Sequence, residues 1–124
     1  MESMKSLVDA YVKAASDKDW EDLGELVQPD AKFSGTVKDV EGREAFVQGF
    51  RNLAPIAIRH DVRDIVVEGD KAFVLYDFVT DTAVGSVLCG EFLTARDGLI
   101  DSSVLIFDLR RWPEVLQGIA RRTA

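Results

Sequence analysis

The sequence reads as an α+β fold in which helices come first and an antiparallel sheet follows. Apolar residues recur at helical spacing in the first half of the chain, and from Ile56 onward the period changes to two. Glycine-centred turns at Glu68-Gly69-Asp70 and Arg96-Asp97-Gly98 then divide the second half into strands of similar length. Strands collected after helices, rather than alternating with them, point to α+β and not to a parallel α/β sheet.

Met4, Leu7, Val8, Tyr11, Val12 and Ala15 form one wide apolar stripe, which predicts a helix over residues 4–16. A second, short helix is expected from an Asp19 N-cap through Trp20, Leu23, Leu26 and Val27, with Pro29-Asp30 ending it. Residues 31–38 read as a short strand, in which Gly35 marks a bulge or a close backbone approach. Val40 to Leu53 returns to helical spacing through Phe46, Phe50 and Leu53, and Pro55 closes that helix. Ile56, Ile58, His60 and Val62 share one face of the strand that follows. Four long antiparallel strands are expected near 56–67, 71–81, 85–95 and 99–108, with Gly85 assisting the middle turn. Trp112-Pro113 opens a last helix whose apolar side is Val115, Leu116 and Ile119.

Composition narrows the function classes. The 124 residues, 47% of them apolar, suit one domain spanning 1–124. A formal charge of −7 with scattered basic residues excludes a nucleic-acid partner, which needs clustered Lys and Arg. Every apolar run is interrupted by charge well short of the ~20 residues of a membrane span, so no membrane partner is expected. A single cysteine, Cys89, and an opening stretch without the apolar run of a secretory signal place the chain in the cytoplasm. Lone His60 and lone Cys89 fall short of a metal-ligand cluster, and no cofactor is called for.

The order helix, helix, short strand, helix and four-stranded meander resembles the nuclear transport factor 2-like superfamily, in its SnoaL-like branch. Tyr11-Val12-Lys13-Ala14-Ala15 with Asp19-Trp20 and Leu23 is similar to that superfamily's paired opening helices. Val40-Glu41-Gly42-Arg43-Glu44-Ala45-Phe46 resembles its entry into the third helix, and Phe92 through Asp97-Gly98-Leu99-Ile100 with Phe107-Asp108 its closing hairpin. The resemblance implies a cone-shaped, cystatin-like domain, with helices packed on a strongly curved sheet and a small apolar molecule held between them. Enzyme positions of this fold transfer in part. The oxyanion-holding tyrosine of ketosteroid isomerase matches Tyr11, while its two carboxyls fall on or beside Gly35 and on Gly90. The catalytic set of limonene-epoxide hydrolase falls on Val79, Asp77 and Leu105. A histidine of scytalone dehydratase matches His60, although that enzyme's tyrosine falls on Ala15.

On this basis the inward-facing set is Ile58, His60, Leu75, Asp77, Val79, Ser86, Leu88, Gly90, Ser103, Leu105 and Phe107. His60 and Asp77 are read as an acid–base pair and Tyr11 as a hydrogen-bond donor. Ile58, Leu75, Val79, Leu88, Ser103, Leu105 and Phe107, with Phe46 and Phe50, are read as the ligand-binding wall. Each polar residue also has a plain structural reading: a strand histidine bonded to backbone or to Asp61, a carboxylate turned to solvent by a one-residue slip, a core tyrosine. Cys89 reads as a small buried hydrophobe. The opposite face, with Tyr76, Phe78, Val87, Cys89, Val104 and Ile106, is also apolar, which predicts a two-fold homodimer through it. The expected activity is a cofactor-independent isomerisation, dehydration, cyclisation or hydration of a small hydrophobic ligand by proton transfer. Non-catalytic ligand binding, or an interaction role, is the alternative.

Overall fold

The computed structural model describes residues 3–36 and 38–123. Val37, near the end of the expected strand 31–38, lies outside the described residues. Helix α1 (Met4–Asp17) starts at Ser3, whose hydroxyl accepts the Ser6 N–H at 3.1 Å, and ends where Lys18 turns left-handed at φ 60°. Its buried stripe is Leu7, Val8, Tyr11, Ala14 and Ala15, the face that the apolar spacing predicts. Helix α2 (Trp20–Glu25) has Asp19 as its cap, accepting the Asp22 N–H at 3.1 Å.

The next segments depart from expectation. Strand β1 (Val27–Gly35) begins before Pro29 rather than after it. Pro29 is tolerated because it falls in the stretch where the pairing register breaks, between Val27 and Lys32, so its missing N–H takes no ladder bond away. Val40 and Glu41 are not helical: they belong to strand β2 (Asp39–Glu41), which pairs antiparallel with β1 through Phe33 and Val40. Gly42, at φ 100°, then turns the chain into α3 (Arg43–Arg51), three residues later than the apolar spacing suggests. Gly35 does mark a close approach: its N–H donates to the Lys38 carbonyl at 2.7 Å, and a Cβ there would lie 3.1 Å from that oxygen.

Strands β3 (Ala57–Glu68), β4 (Lys71–Thr80), β5 (Ser86–Arg96) and β6 (Leu99–Phe107) form the expected meander, and α4 (Trp112–Thr123) follows. The sheet order is β2-β1-β6-β5-β4-β3, with β1 parallel to β6 and every other pair antiparallel. The helices pack on one face of this curved sheet, which gives the α+β, cystatin-like cone. None of the described helices is long and apolar enough to cross a membrane.

The two faces of β4 and β5 are the reverse of the expected ones. Val74, Tyr76 and Phe78 of β4 and Val87, Cys89, Glu91 and Leu93 of β5 are buried toward the helices. Leu75, Asp77 and Val79, with Ser86, Leu88 and Gly90, look outward. Strands β3 and β6 keep their expected sense, since His60 pairs with Phe78, Ser103 with Leu93 and Leu105 with Glu91. A slip of one residue reverses every side chain of a strand, and here it separates two strands from their neighbours.

Candidate active site

The inner face of β5 is apolar except at one position. Glu91 is 2% exposed, and three hydroxyls converge on its carboxyl. Tyr11 of α1 donates to Oε2 at 2.5 Å, Ser103 of β6 to the same oxygen at 2.7 Å, and Tyr76 of β4 to Oε1 at 3.1 Å. Each donor comes from a different element, so the helix stripe and three adjacent strands together fix one carboxyl. Alternation puts it there: Val87, Cys89, Glu91 and Leu93 share a face, and Tyr76 and Ser103 face the same interior from the flanking strands.

Burial pushes the Glu91 carboxyl above the usual carboxylate range, against the opposing pull of the three hydroxyl bonds. Tyr11 and Tyr76 are pushed well above the ordinary phenol value, first by burial and then by the charge of Glu91. Both phenols therefore stay protonated near neutrality and keep the O–H that each donates to Glu91. Around the cluster lies an aromatic wall. Tyr11 meets Phe46 and Phe50 edge-on at 6.2 and 5.9 Å between ring centroids, and Phe33 meets the same two rings at 5.5 and 5.9 Å. Leu105, Phe107 and Trp112 pack against the same core, with Phe107 and Trp112 in contact.

His60 sits beside this interior, with its ring 5.2 Å from Tyr76, 5.4 Å from Phe78 and 6.4 Å from Phe50. Burial pushes its pKa down to about 4, with the Asp61 charge opposing, so the imidazole is neutral at physiological pH. Its Nδ1 is buried with no hydrogen-bond partner among the described residues, while its backbone N–H donates to Ser16 Oγ at 3.0 Å. The ring also lines an open groove of about 410 Å³ between α1 and β3, whose rim carries Lys5, Asp9, Lys13 and Asp17.

Of the residues singled out from sequence, the structure brings Tyr11, His60, Phe46, Phe50, Ser103, Leu105 and Phe107 to the interior. It does not bring Asp77 there. Asp77 lies on the outer face, where Arg63 grips it through two bonds at 2.8 and 3.1 Å. His60 and Asp77 are thus on opposite sides of the sheet, and the expected acid–base pair is not assembled. Leu75, Val79 and Leu88 share the outer face with Asp77, and Ile58 is 45% exposed beside a register break in β3. Gly90 is also outward, where the Phe73 ring lies on it so closely that a Cβ would be 2.7 Å from Cζ. Glu91 and Tyr76 are the site residues that the sequence reading overlooked. The available signal was a lone acid in an otherwise apolar alternation, Val87, Cys89, Glu91, Leu93. Among the described residues no three His, Cys, Asp or Glu side chains group as metal ligands.

A family model described as a SnoaL-like domain matches residues 8–102. Three solved structures illustrate the likeness of the fold. A candidate polyketide cyclase from Sinorhizobium meliloti is 24% identical, with a TM-score of 0.74 over 85% of this chain and 99% of that one. A candidate ketosteroid isomerase from Kribbella flavida is 17% identical, with a TM-score of 0.76 over 85% and 77%. A de novo designed protein with a curved β-sheet is 21% identical, with a TM-score of 0.80 over 98% of both chains. No curated protein matches this sequence.

Proposed function

The chain belongs to the SnoaL-like domain family, and from that premise we propose that its cone binds a small, neutral, mainly apolar molecule and moves a proton on it. The observation that carries this reading is Glu91, a carboxyl held by three hydroxyls inside an apolar interior. A carboxyl whose proton affinity burial has raised is suited to giving and taking a proton, and once Glu91 is protonated the Tyr11 hydroxyl beside it is released to turn to the oxygen on which charge develops. The candidate isomerase and candidate cyclase among the structural neighbours support isomerisation or cyclisation, and dehydration or hydration by the same proton transfer belongs to this reading, which calls for no cofactor. Glu91 takes the acid–base role first given to Asp77, Tyr11 keeps its role as donor, and His60 becomes a neutral wall residue.

The test uses small cyclic ketones of terpenoid and aromatic type in deuterated water. Wild type is expected to be thermally stabilised by at least one of them and to exchange the proton next to its carbonyl, as followed by proton NMR. Glu91→Gln should bind and not exchange. Stabilisation without exchange in wild type selects the binding-only alternative. Neither effect across the panel sinks both readings.

We also propose a two-fold homodimer through the outer face, with its residues revised. Phe73, Leu88, Phe92, Val104 and Ile106 are each between 39% and 62% exposed on that side. Tyr76, Phe78, Val87 and Cys89, expected there, are buried inward instead. Sedimentation equilibrium at micromolar concentration is expected to show a dimer, and Ile106→Glu a monomer; a wild-type monomer contradicts it.

A further inference from the structure

From Glu91 the inner face of β5 runs through Cys89 and Val87, both buried, to the loop that joins β4 to β5. Helix α4 lies over this end. Val115 is fully buried, Trp112 meets Phe107 at 4.5 Å between ring centroids with the rings tilted by 47°, and Trp112 and Ile119 pack against the core. Gly118 lets the helix approach closely, since a Cβ there would lie 3.1 Å from Thr82 Cγ2 and 3.6 Å from Ile56 Cγ2.

Yet α4 is thinly held. Of its twelve residues only Val115 and Gly118 are buried, and Leu116 is half-exposed. Its ends are fastened by polar contacts at the surface. Arg111 donates to the carbonyls of Ala83 and Val84 at 3.4 and 3.5 Å. Arg122 donates to the carbonyls of Pro55 and Asp81, each at 3.2 Å, and pairs with the Asp81 carboxylate. Exposed ion pairs are weak fasteners, and elements with little buried apolar surface open first. The family match ends at Ser102, so this cover is supplied by a segment beyond the matched domain.

We propose that α4 is a hinged cover over the β4–β5 loop end of the interior, latched by Arg122 on Asp81 and Pro55, and that the ligand reaches Glu91 when this helix swings away. The ligand half rests on the function proposed above; the moving helix does not. The chain's single cysteine separates the two, because Cys89 is buried opposite Phe107, which Trp112 of α4 touches, and shares the inner face of β5 with Glu91 two residues on. Burial pushes its thiol up to about 12, which slows its chemistry alike in every variant that leaves its surroundings intact.

The experiment measures alkylation of Cys89 by N-ethylmaleimide, alongside urea unfolding, in wild type, Arg122→Ala and Gly118→Leu, the last propping the helix off Thr82. Both variants are expected to react about tenfold faster while their urea midpoints fall little, which is the signature of local opening. A saturating neutral fluorescent ketone, 6-propionyl-2-(dimethylamino)naphthalene, should slow the reaction in wild type. Alkylation at the wild-type rate in both variants, or acceleration that merely follows the loss of global stability, overturns the cover. Acceleration with no effect of the ketone keeps the moving helix and overturns the ligand route beneath it.

Discussion

Asp77 and Glu91 stand on neighbouring strands of one antiparallel pair and on opposite faces of it. Asp77 is held by Arg63 at the surface, with the Arg63 side chain more than half exposed. Among the described residues Glu91 is paired with no cation and relies on three neutral hydroxyls in a buried interior. The first arrangement exchanges solvent for a partner of opposite charge. The second leaves burial only partly offset, and the result is a carboxyl whose proton affinity is raised. Two acids of the same sheet are thus fitted to different purposes by which way the pleat turns them.

The largest expected difference lies in truncation. Glu91→Ala removes the common acceptor of three buried hydroxyls and opens a void, which should lower stability by about 4 kcal/mol. Glu91→Gln, which keeps the shape and an acceptor oxygen, should lose roughly half as much. Urea unfolding measures both, and a loss under ~1 kcal/mol for the alanine variant would mean that the three hydroxyls satisfy one another without the acid.

Next comes pH. His60 has a lowered folded pKa, so between its ordinary value of 6.5 and about 4 the unfolded chain takes up a proton that the folded one refuses. Stability from this source is full above that window and falls as the pH drops through it, by roughly 3 kcal/mol in all. Glu91 acts in the opposite sense: with its folded pKa raised, the folded state holds the extra proton, and its contribution improves as the pH falls. Comparing unfolding at pH 7 and pH 4.5, wild type should lose more stability than His60→Gln. An equal loss in the two would remove His60 from the account.

The smallest effect belongs to Asp77→Asn. Breaking this half-exposed pair should cost about 0.5 kcal/mol or less, shrinking with added salt. It should also leave the His60 titration midpoint in place, because the sheet lies between the two groups. Asp61→Asn, by contrast, should move that midpoint down, since the Asp61 charge holds it up. A shift caused by the Asp77 variant, seen in the imidazole resonances of the only histidine, would contradict the placement of the two faces.

The helices, turns and strand meander were legible because each is written by local rules: the Tyr11 stripe, the Asp19 cap, the glycines of the two hairpin turns. The facing of β4 and β5 was not. Where one face offers Leu75, Val79 and Leu88 and the other offers Tyr76, Phe78 and Val87, alternation defines two faces without saying which is inner. Polar content decides it, and here it misleads, for Asp77 looks like a site residue until Arg63 is seen beside it. Glu91 escaped notice because the hydroxyls that make it a site come from Tyr11 and Ser103, 80 and 12 positions away in sequence. The short strand at Val40 was hidden for the same reason: its ladder partner, Phe33, lies on another element.

One last consequence follows from how the sheet ends. At one margin β2 is three residues long, too brief a template for another strand. At the other, β3 is twelve residues long and carries Ile58, Val62 and Val66, the makings of runaway cross-β growth. Its line of free amides is broken up, however. Ser16 occupies the His60 N–H, Asp64 turns back on the Ile65 N–H at 2.9 Å, and the register jumps twice along the strand. A chain built this way resists fibril formation at its margins.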